Sequence, residues 1–270
     1  MGLNRSLLGV LDDMGEVGGY LAARGWAERN AGNLSVEVTE MLDRNTLALA
    51  GAPLLPETVV YEELAGRAFL VTSTGGRFRE IQRRPERNVV LVRVTEDLCG
   101  YQVLWGGTGA ACQATSEFVS HLKIHGLLRR KNLPQRAVLH THPTEVIALS
   151  HMPEFCRAEA LNRMLWSMHP EVKVVLPEGL GFAPYRLPGT VDLADATMAA
   201  LAGHRLVVWE KHGCVAIGKG ALDAFDLIDT VGKAAQIFFL CRSVGREPAG
   251  LDSSQLDDIE KAFGRSEPTL

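Results

Sequence analysis

The chain has 270 residues, 46% of them hydrophobic and 22% charged, with a formal net charge of −4. This balance is typical of a globular protein with a large core, and the length allows one or two domains. The absence of a basic block argues against a nucleic-acid partner, while a small anionic ligand held by backbone N–H groups stays compatible with it.

The sequence shows no membrane-span, signal-peptide or disulfide pattern. No stretch reaches the roughly 18 to 20 apolar residues of a membrane span. The N-terminal apolar run is short and ends at Asp12 and Asp13, which argues against a secretory signal peptide. The five cysteines are odd in number and form no C-x-x-C pair, a usage that predicts a reduced, cytoplasmic protein rather than a disulfide framework.

The first part of the chain predicts one helix followed by a series of strands. Apolar residues at helical spacing predict an amphipathic helix over about 6–24. A Gly/Asn turn then leads into a strand in "ERNAGNLSVEVT". Residues 40–67, with Pro53 and Pro56, predict an irregular surface excursion. Three further strands are predicted in "RAFLVTSTGGRF", "NVVLVRVTED" and "GYQVLWGG".

The second part alternates helices and strands. "QATSEFVSHLKIHGLLRR" predicts a helix capped by Thr115 or Ser116, with Glu117 in its first turn. A strand and a helix follow in "RAVLHTHPTEVIALSHM", a strand and a loop in "VKVVLPEGLGFAPY", and a helix in "DLADATMAALAGH". "RLVVWEKHGCVAIG" predicts two strands around a His-Gly turn. A long helix from "ALDAFDL" onward and a polar tail end the chain.

The organisation favours one α/β domain covering residues 1–270. No internal repeat, low-complexity segment or linker interrupts the sequence. Strands alternate with helices, but several strands follow one another as hairpin-like pairs. This pattern predicts a mixed or antiparallel sheet covered by helices rather than a regular parallel sheet.

The histidines of "VLHTHP" are the first candidates for a metal site. In a strand, residues two apart point to the same face, so His140 and His142 would lie within reach of one ion. Zinc takes imidazole ligands and needs at least one more, for which His212 at the His-Gly turn is the best candidate. The alternative is that these histidines only cap strand ends through hydrogen bonds, and the spacing alone does not decide between the two.

Other histidines and a cysteine compete for the same role. His121 and His125 lie at i, i+4 on the predicted helix, which is also a possible zinc spacing. Their helix lacks the glutamate of H-E-x-x-H, so packing or a supporting role near the site is the favoured interpretation. Cys214 begins an apolar strand, which favours a core position.

Two acidic residues and one lysine are ambiguous from their positions. Glu117 at a helix start is either a favourable charge near the helix dipole or a general acid/base. Glu171, between a proline and a predicted strand, is open in the same way. Lys173 in "EVKVVLP" is compatible with Schiff-base chemistry, although such a lysine more often lies on the solvent face of an edge strand.

Three small polar turns could bind a phosphate. Residues 29–35 ("RNAGNLS"), residues 72–76 ("TSTGG") and the pair Thr115-Ser116 each offer backbone N–H groups and hydroxyls beside a strand or helix start. Each is weak alone, because glycine-rich turns are usually only turns, and neither a P-loop nor a GxGxxG is present.

Taken in chain order, these pieces resemble the class II aldolase family of sugar-phosphate lyases. The order is N-x-G-N-L-S, a glycine turn after "FLVT", T-S-E on a helix, H-x-H-P, and a distant H-G. The resemblance covers about residues 10–245. It implies a single three-layer domain with a mixed, mostly antiparallel central sheet flanked by helices, and a homotetramer acting on a small sugar phosphate.

The resemblance also implies roles for individual residues. One Zn²⁺ per subunit would be held by His140, His142 and His212, with Glu117 as the catalytic acid/base and Glu171 as a second acidic residue for the aldehyde half. The phosphate would be bound by Asn30, Asn33, Thr74, Gly75, Thr115 and Ser116. Other sugar-phosphate enzymes of the family, and a non-catalytic module of the adducin-head type, are the alternatives. The three histidines kept together with the glutamate argue against the silent module.

Overall fold

A nine-stranded sheet organises the part of the chain that the computed structural model describes, which is residues 3–43, 54–107 and 112–263. Its strand order is β2-β5-β4-β3-β1-β6-β9-β8-β7, and every neighbouring pair is antiparallel except β7 with β8. The strands are β1 Asn33–Glu37, β2 Leu55–Pro56, β3 Ala68–Thr72, β4 Val89–Val94, β5 Gly100–Gly106, β6 Ala137–Thr141, β7 Gly181–Ala183, β8 Leu206–Trp209 and β9 Gly213–Gly218.

Helices cover both faces of this sheet and give the expected three layers. The helices are α1 Arg5–Arg24, α2 Pro85–Asn88, α3 Phe118–Arg130, α4 Thr144–Leu149, α5 Ala158–Met168, α6 Pro170–Val175, α7 Val191–Ala200, α8 Ala221–Ser243 and α9 Ser253–Phe263. One face of the sheet packs against α1, α8 and the segment from α4 to α6, and the other packs against α3 and α7. None of the described helices combines the length and hydropathy that a membrane span requires.

Helix α1 follows directly from its sequence. The Oδ1 atom of Asn4 accepts a hydrogen bond from the N–H of Leu7 at 3.1 Å and caps the first turn. Gly25 ends the helix with a left-handed φ of 71°, a conformation that glycine adopts without a steric penalty. The buried residues of the helix recur on one face and pack on the sheet, which confirms the predicted amphipathic helix.

The sheet topology brings strand ends from distant parts of the chain to one edge. In the antiparallel ladder, Asn33 at the start of β1 lies opposite His140 near the end of β6. His140 in turn lies opposite Val215 of β9, so the turn that contains His212 lies at the same edge. Strand β1 pairs with β6 on one side and with β3 on the other. Residues 73–75 follow the end of β3 and so lie at the same edge. The site is therefore assembled by strand pairing.

Two predicted elements differ in the structure. The segment 172–175, expected as a strand, belongs to helix α6, and the strand comes later as β7. Pro170 at the first helical position and Glu171 in the first turn favour a helix start, and this outweighs the strand preference of the three valines. The C-terminal tail, expected to be only polar, contains α9.

The excursion expected over 40–67 is only partly described. Residues 44–53, including Pro53, lie outside the described residues. The remainder contains short 3₁₀ turns at Thr39–Met41 and Glu62–Leu64 and the two-residue strand β2, in agreement with an irregular path.

Candidate metal centre

Three histidines form a cluster at the sheet edge. Each of His140, His142 and His212 offers a ring nitrogen, and these nitrogens lie within 4.8 Å of one another. Among the residues that the structure describes, no other group of three His, Cys, Asp or Glu side chains meets this condition. The expected third histidine therefore joins the H-x-H pair.

Hydrogen bonds set the ring orientation of two members. Nδ1 of His140 donates to the carbonyl oxygen of Cys214 at 2.9 Å, and Nδ1 of His142 donates to Oε1 of Glu28 at 2.8 Å. In the neutral form each ring then presents the lone pair of Nε2. The two Nε2 atoms face each other at 3.2 Å, close to the roughly 3.3 Å between two ligands of a tetrahedral zinc ion. Two lone pairs that converge at this distance can bind one cation, so the donor set fits zinc.

His212 is held by its turn and by an aromatic neighbour. Its ring stacks on Trp209 with a centroid distance of 5.2 Å, and Trp209 also lies 4.4 Å from the ring of His140. Lys211 before it has a left-handed φ of 59°, and its N–H donates to Oγ of Ser150 at 2.7 Å. The turn is thus fixed to helix α4, which limits the positions that His212 can take.

Lowered pKa values keep two of the three rings in the neutral form that binds a cation. Burial lowers the pKa of His140 well below its usual value, and the nearby His142 and His212 lower it further. Burial also lowers the pKa of His212, to about 4. Neutral imidazole is the form that binds a metal, so a neutral pH leaves both rings ready to act as ligands.

Glu117 lies beside the histidines and is buried. Its Oε2 atom accepts a hydrogen bond from Nδ2 of Asn33 at 2.6 Å and lies 3.5 Å from Nε2 of His140. Its Oε1 atom lies 3.9 Å from Nε2 of His212. Burial raises the pKa of Glu117, while the hydrogen bond from Asn33 acts in the opposite direction. A carboxyl group in this setting can exchange a proton with a bound molecule.

The start of helix α3 differs from the prediction. Glu117 occupies the N-cap position itself rather than the first turn, and no side chain caps the helix. Oγ1 of Thr115 accepts from the N–H of Glu117 at 3.5 Å, a long contact. Because Glu117 turns towards Asn33 and the histidines, it is not available to cap its own helix.

All six predicted phosphate-binding residues line one pocket together with Glu117 and the three histidines. Its volume is about 210 Å³. Among the described lining residues none is a lysine or arginine, so donors are neutral hydroxyls, amides and backbone N–H groups, helped by the positive end of helix α3. The lining set is Asn30, Ala31, Gly32, Asn33, Ser73, Thr74, Gly75, Thr115, Ser116, Glu117, His140, His142 and His212.

Sequence reasoning missed three lining residues, Ala31, Gly32 and Ser73, although the quoted turns contain them. Gly32 has a φ of 75°, and an added Cβ atom would lie 2.8 Å from the carbonyl oxygen of His140. Only glycine fits there, because the turn passes directly against strand β6.

Glu171 lies apart from this pocket. It belongs to α6, its side chain is 59% exposed, and its Oε2 atom lies 3.0 Å from Nδ1 of His169. Its predicted role at the aldehyde half stays a prediction. Lys173 on the same helix pairs through Nζ with Glu260 at 2.9 Å and lies 4.4 Å from the ring centroid of Trp166. These contacts account for the lysine without Schiff-base chemistry.

Comparisons with known proteins agree with this geometry. The family described as Class II Aldolase and Adducin N-terminal domain matches residues 12–239. A rhamnulose-1-phosphate aldolase from Bacteroides thetaiotaomicron is 38% identical over 256 residues, which cover 94% of this chain and 93% of that protein. The crystal structure of a sugar-phosphate aldolase from Thermotoga maritima is 31% identical with a TM-score of 0.72, covering 91% of this chain and 100% of that one. An L-fuculose 1-phosphate aldolase at 22% identity and a TM-score of 0.63, covering 95% and 96% of the two chains, shares the fold.

Proposed function

The chain belongs to the class II aldolase and adducin N-terminal domain family, and from this premise we propose that it cleaves L-rhamnulose 1-phosphate to dihydroxyacetone phosphate and L-lactaldehyde. It is a lyase of the class II aldolase type, a class that depends on a metal. The observation that carries the proposal is one pocket lined by three histidines, a buried glutamate and donor-rich turns. The relative at 38% identity supports this particular ketose.

The histidines would hold one zinc ion per subunit. When bound, zinc supplies a Lewis acid that stabilises the negative charge developing on the ketose oxygens as the C3–C4 bond breaks. His140 and His142 are oriented for this by Cys214 and Glu28.

The chain's own residues would position the substrate and move protons. Hydroxyls and N–H groups of the three turns bind the phosphate and fix the distance to the reacting bond. Glu117 moves a proton to and from the carbon that was bonded to the aldehyde half. We keep Glu171 as the acidic residue that serves the aldehyde half, from its own subunit or a neighbouring one.

We further propose a cytoplasmic homotetramer. The five cysteines are all unpaired, which supports a reducing compartment. Light scattering on the purified protein should give four times the molar mass of one subunit, and cell fractionation should recover the enzyme with cytoplasmic markers. A monomer in solution, or recovery with another compartment, would contradict this part of the proposal.

A parallel substrate assay tests the reaction. The zinc-loaded protein is given L-rhamnulose 1-phosphate, L-fuculose 1-phosphate and L-ribulose 5-phosphate at equal concentrations, and kcat/KM is measured for each. Cleavage of rhamnulose 1-phosphate should be the most efficient. A preference for either other ketose would replace the substrate while keeping the family chemistry. Inactivity together with failure to bind zinc would favour the non-catalytic module.

Metal removal tests the cofactor. A chelator should abolish cleavage, and added zinc should restore it. Full activity after complete metal removal, with a lysine adduct trapped by borohydride, would exclude the zinc site as the source of activity.

A further inference from the structure

A row of polar side chains lies between strand β1 and helix α3 in the interior of the protein. We call this row the polar file. Strand residues two apart advance about 6.8 Å and helix residues four apart advance about 6 Å, so the two series stay in step over several layers. The strand contributes Asn33, Ser35 and Glu37, and the helix contributes Glu117, His121, His125 and Arg129.

The members from Glu117 to His125 touch one another in sequence. Nε2 of His121 lies 2.5 Å from Oδ1 of Asn33, and Nδ1 of His121 lies 2.7 Å from Oγ of Ser35. The same Oγ lies 2.8 Å from Nε2 of His125. Both histidines are 1% exposed and Ser35 is 0% exposed, so these contacts replace water entirely.

The chemistry of the groups gives the hydrogen bonds one direction. Burial lowers the pKa of His121 to about 3 and that of His125 well below its usual value, so each ring carries one N–H. Because Oδ1 of Asn33 can only accept, Nε2 of His121 donates to it. Nδ1 of His121 then accepts from Ser35, and Oγ of Ser35 accepts from Nε2 of His125.

In the structure Oδ1 of Asn33 faces His121 and Nδ2 faces Glu117, and the hydrogen-bond direction follows from this orientation. With Oδ1 held by His121, Nδ2 donates to Oε2 of Glu117 at 2.6 Å. The reverse amide orientation would place Oδ1 against Oε2 of Glu117, which sets two acceptors at hydrogen-bond distance whenever that carboxyl group is ionised. It would also turn the NH₂ group towards the N–H of His121.

We propose that His121 is a positioning residue of the active site, which acts by holding Asn33 in the one orientation that donates to Glu117. The inference rests on the proposed function in one respect, that Glu117 transfers the proton. His121 itself touches neither the pocket nor the substrate. Its effect is to keep the Glu117 carboxyl at a fixed distance from the histidine cluster, where small displacements are costly to the reaction.

Two substitutions of the same residue separate positioning from packing. Methionine is apolar and flexible enough to fill the site without a donor, so His121→Met should lower kcat on the order of 10–100-fold. KM and bound zinc should stay near the wild-type values. In His121→Gln the side-chain NH₂ can take the place of Nε2 and donate to Asn33, and kcat should recover to within a few-fold of wild type. A folded His121→Met enzyme with wild-type kcat would overturn the proposal.

A neighbouring residue of the same helix provides the control. The Oγ atom of Ser120 is buried without a hydrogen-bond partner in the described structure, so Ser120→Ala removes a buried hydroxyl outside the polar file. Its kcat should equal that of wild type. A double-mutant cycle then tests the route of the effect: in an Asn33→Ala background, His121→Met should cause no further loss. Additive losses would show that His121 does not act through Asn33.

A measurement that needs no activity distinguishes this inference from the proposed reaction. In protein labelled with ¹⁵N-asparagine, the side-chain NH₂ of Asn33 should exchange slowly with solvent in the wild type and in His121→Gln. It should exchange at least about tenfold faster in His121→Met, because an unheld amide opens more often. Equal exchange in all three proteins would overturn the role of His121 even if the enzyme cleaves its ketose. If exchange is slow in wild type and in His121→Gln but fast in His121→Met, and the protein cleaves no ketose phosphate, the role of His121 is supported. The proposed reaction alone would then be wrong.

Discussion

The two ends of the polar file place a buried carboxylate in opposite surroundings. At the metal end, Glu117 of the helix accepts from the neutral amide of Asn33 on the strand. At the other end, Glu37 of the strand faces Arg129 of the helix, with Oε2 and Nε 3.1 Å apart. The same strand and helix thus pair one carboxylate with an uncharged donor and the other with a cation.

The contacts of the two carboxylates differ in charge. Glu37 is 0% exposed, and besides Arg129 it contacts the guanidinium groups of Arg67 at 3.2 Å and Arg136 at 3.7 Å. This ionic cluster joins strand β1 to helix α3 and to the segments that precede β3 and β6. No lysine or arginine pairs with Glu117 among the described ion pairs, where its partners are the ring nitrogens of His140 and His212. Burial raises the pKa of Glu117. The carboxyl group for which we propose proton transfer therefore has uncharged partners within this chain, whereas Glu37 has three arginines as partners.

Replacing the carboxylate at the metal end should have the largest effect. Glu117→Gln keeps the shape of the side chain and removes its proton chemistry, so kcat should fall about 10²- to 10⁴-fold. Zinc content, measured by atomic absorption, should stay near wild type, because the three histidines are unchanged. Wild-type turnover in a zinc-loaded Glu117→Gln enzyme would remove Glu117 from its role.

Breaking the other end should affect stability and spare catalysis. Arg129→Met leaves part of the charge of Glu37 uncompensated in the interior, and the free energy of unfolding should fall by about 3 kcal/mol. Because Glu117 lies at the far end of the file, kcat should stay within twofold of wild type. Urea unfolding and steady-state kinetics on the same sample measure both quantities.

The adjacent arginine is the matched control for that change. Arg130 is 55% exposed and pairs with Glu63 at the surface, so Arg130→Met should cost less than about 1 kcal/mol. Equal losses in the free energy of unfolding would mean that the buried cluster stabilises the protein no more than the surface pair does. A large fall of kcat in Arg129→Met would contradict the separation of a structural end from a catalytic end.

The sequence predicted each half of the polar file but not their pairing. The i, i+4 spacing of His121 and His125 marks one helix face, and the strand prediction over "NLSVEVT" places alternate residues on one sheet face. Nothing local shows that this helix face crosses this strand: Asn33 and Glu117 are 84 positions apart, and Glu28 and His142 are 114 apart. By contrast, His140 and His142 were predictable as a pair because strand geometry alone aligns them. Glu28 begins the quoted Gly/Asn turn "ERNAGNLSVEVT", but nothing in that turn indicates a contact with His142.

Replacing Glu28 should lower the affinity for zinc although no metal ligand is changed. Its carboxylate orients the ring of His142 and makes Nε2 a stronger donor, so Glu28→Gln should raise the dissociation constant for zinc about 10- to 100-fold. Competition with a chromogenic chelator measures this directly. Glu159→Gln, at a carboxylate that is 82% exposed and paired with Arg163, should leave zinc affinity unchanged. Equal affinities in all three proteins would show that the Glu28 contact does not tune the site.

The smallest expected effect concerns the middle of the polar file and the pH dependence of stability. Burial lowers the pKa of His121 to about 3, whereas an unfolded histidine titrates near 6.5. Between these values the unfolded chain binds a proton that the folded protein does not, so acidification favours unfolding. His121 should contribute a loss of about 1.4 kcal/mol in the free energy of unfolding for each pH unit below about 6.

Urea unfolding of metal-free protein at pH 7.0, 6.0 and 5.0 measures this contribution. The free energy of unfolding should decline less steeply for His121→Gln than for wild type by this amount, since the other buried histidines titrate in both. Ser120→Ala should follow the wild-type line, and parallel lines for wild type and His121→Gln would mean that His121 is protonated in the folded protein.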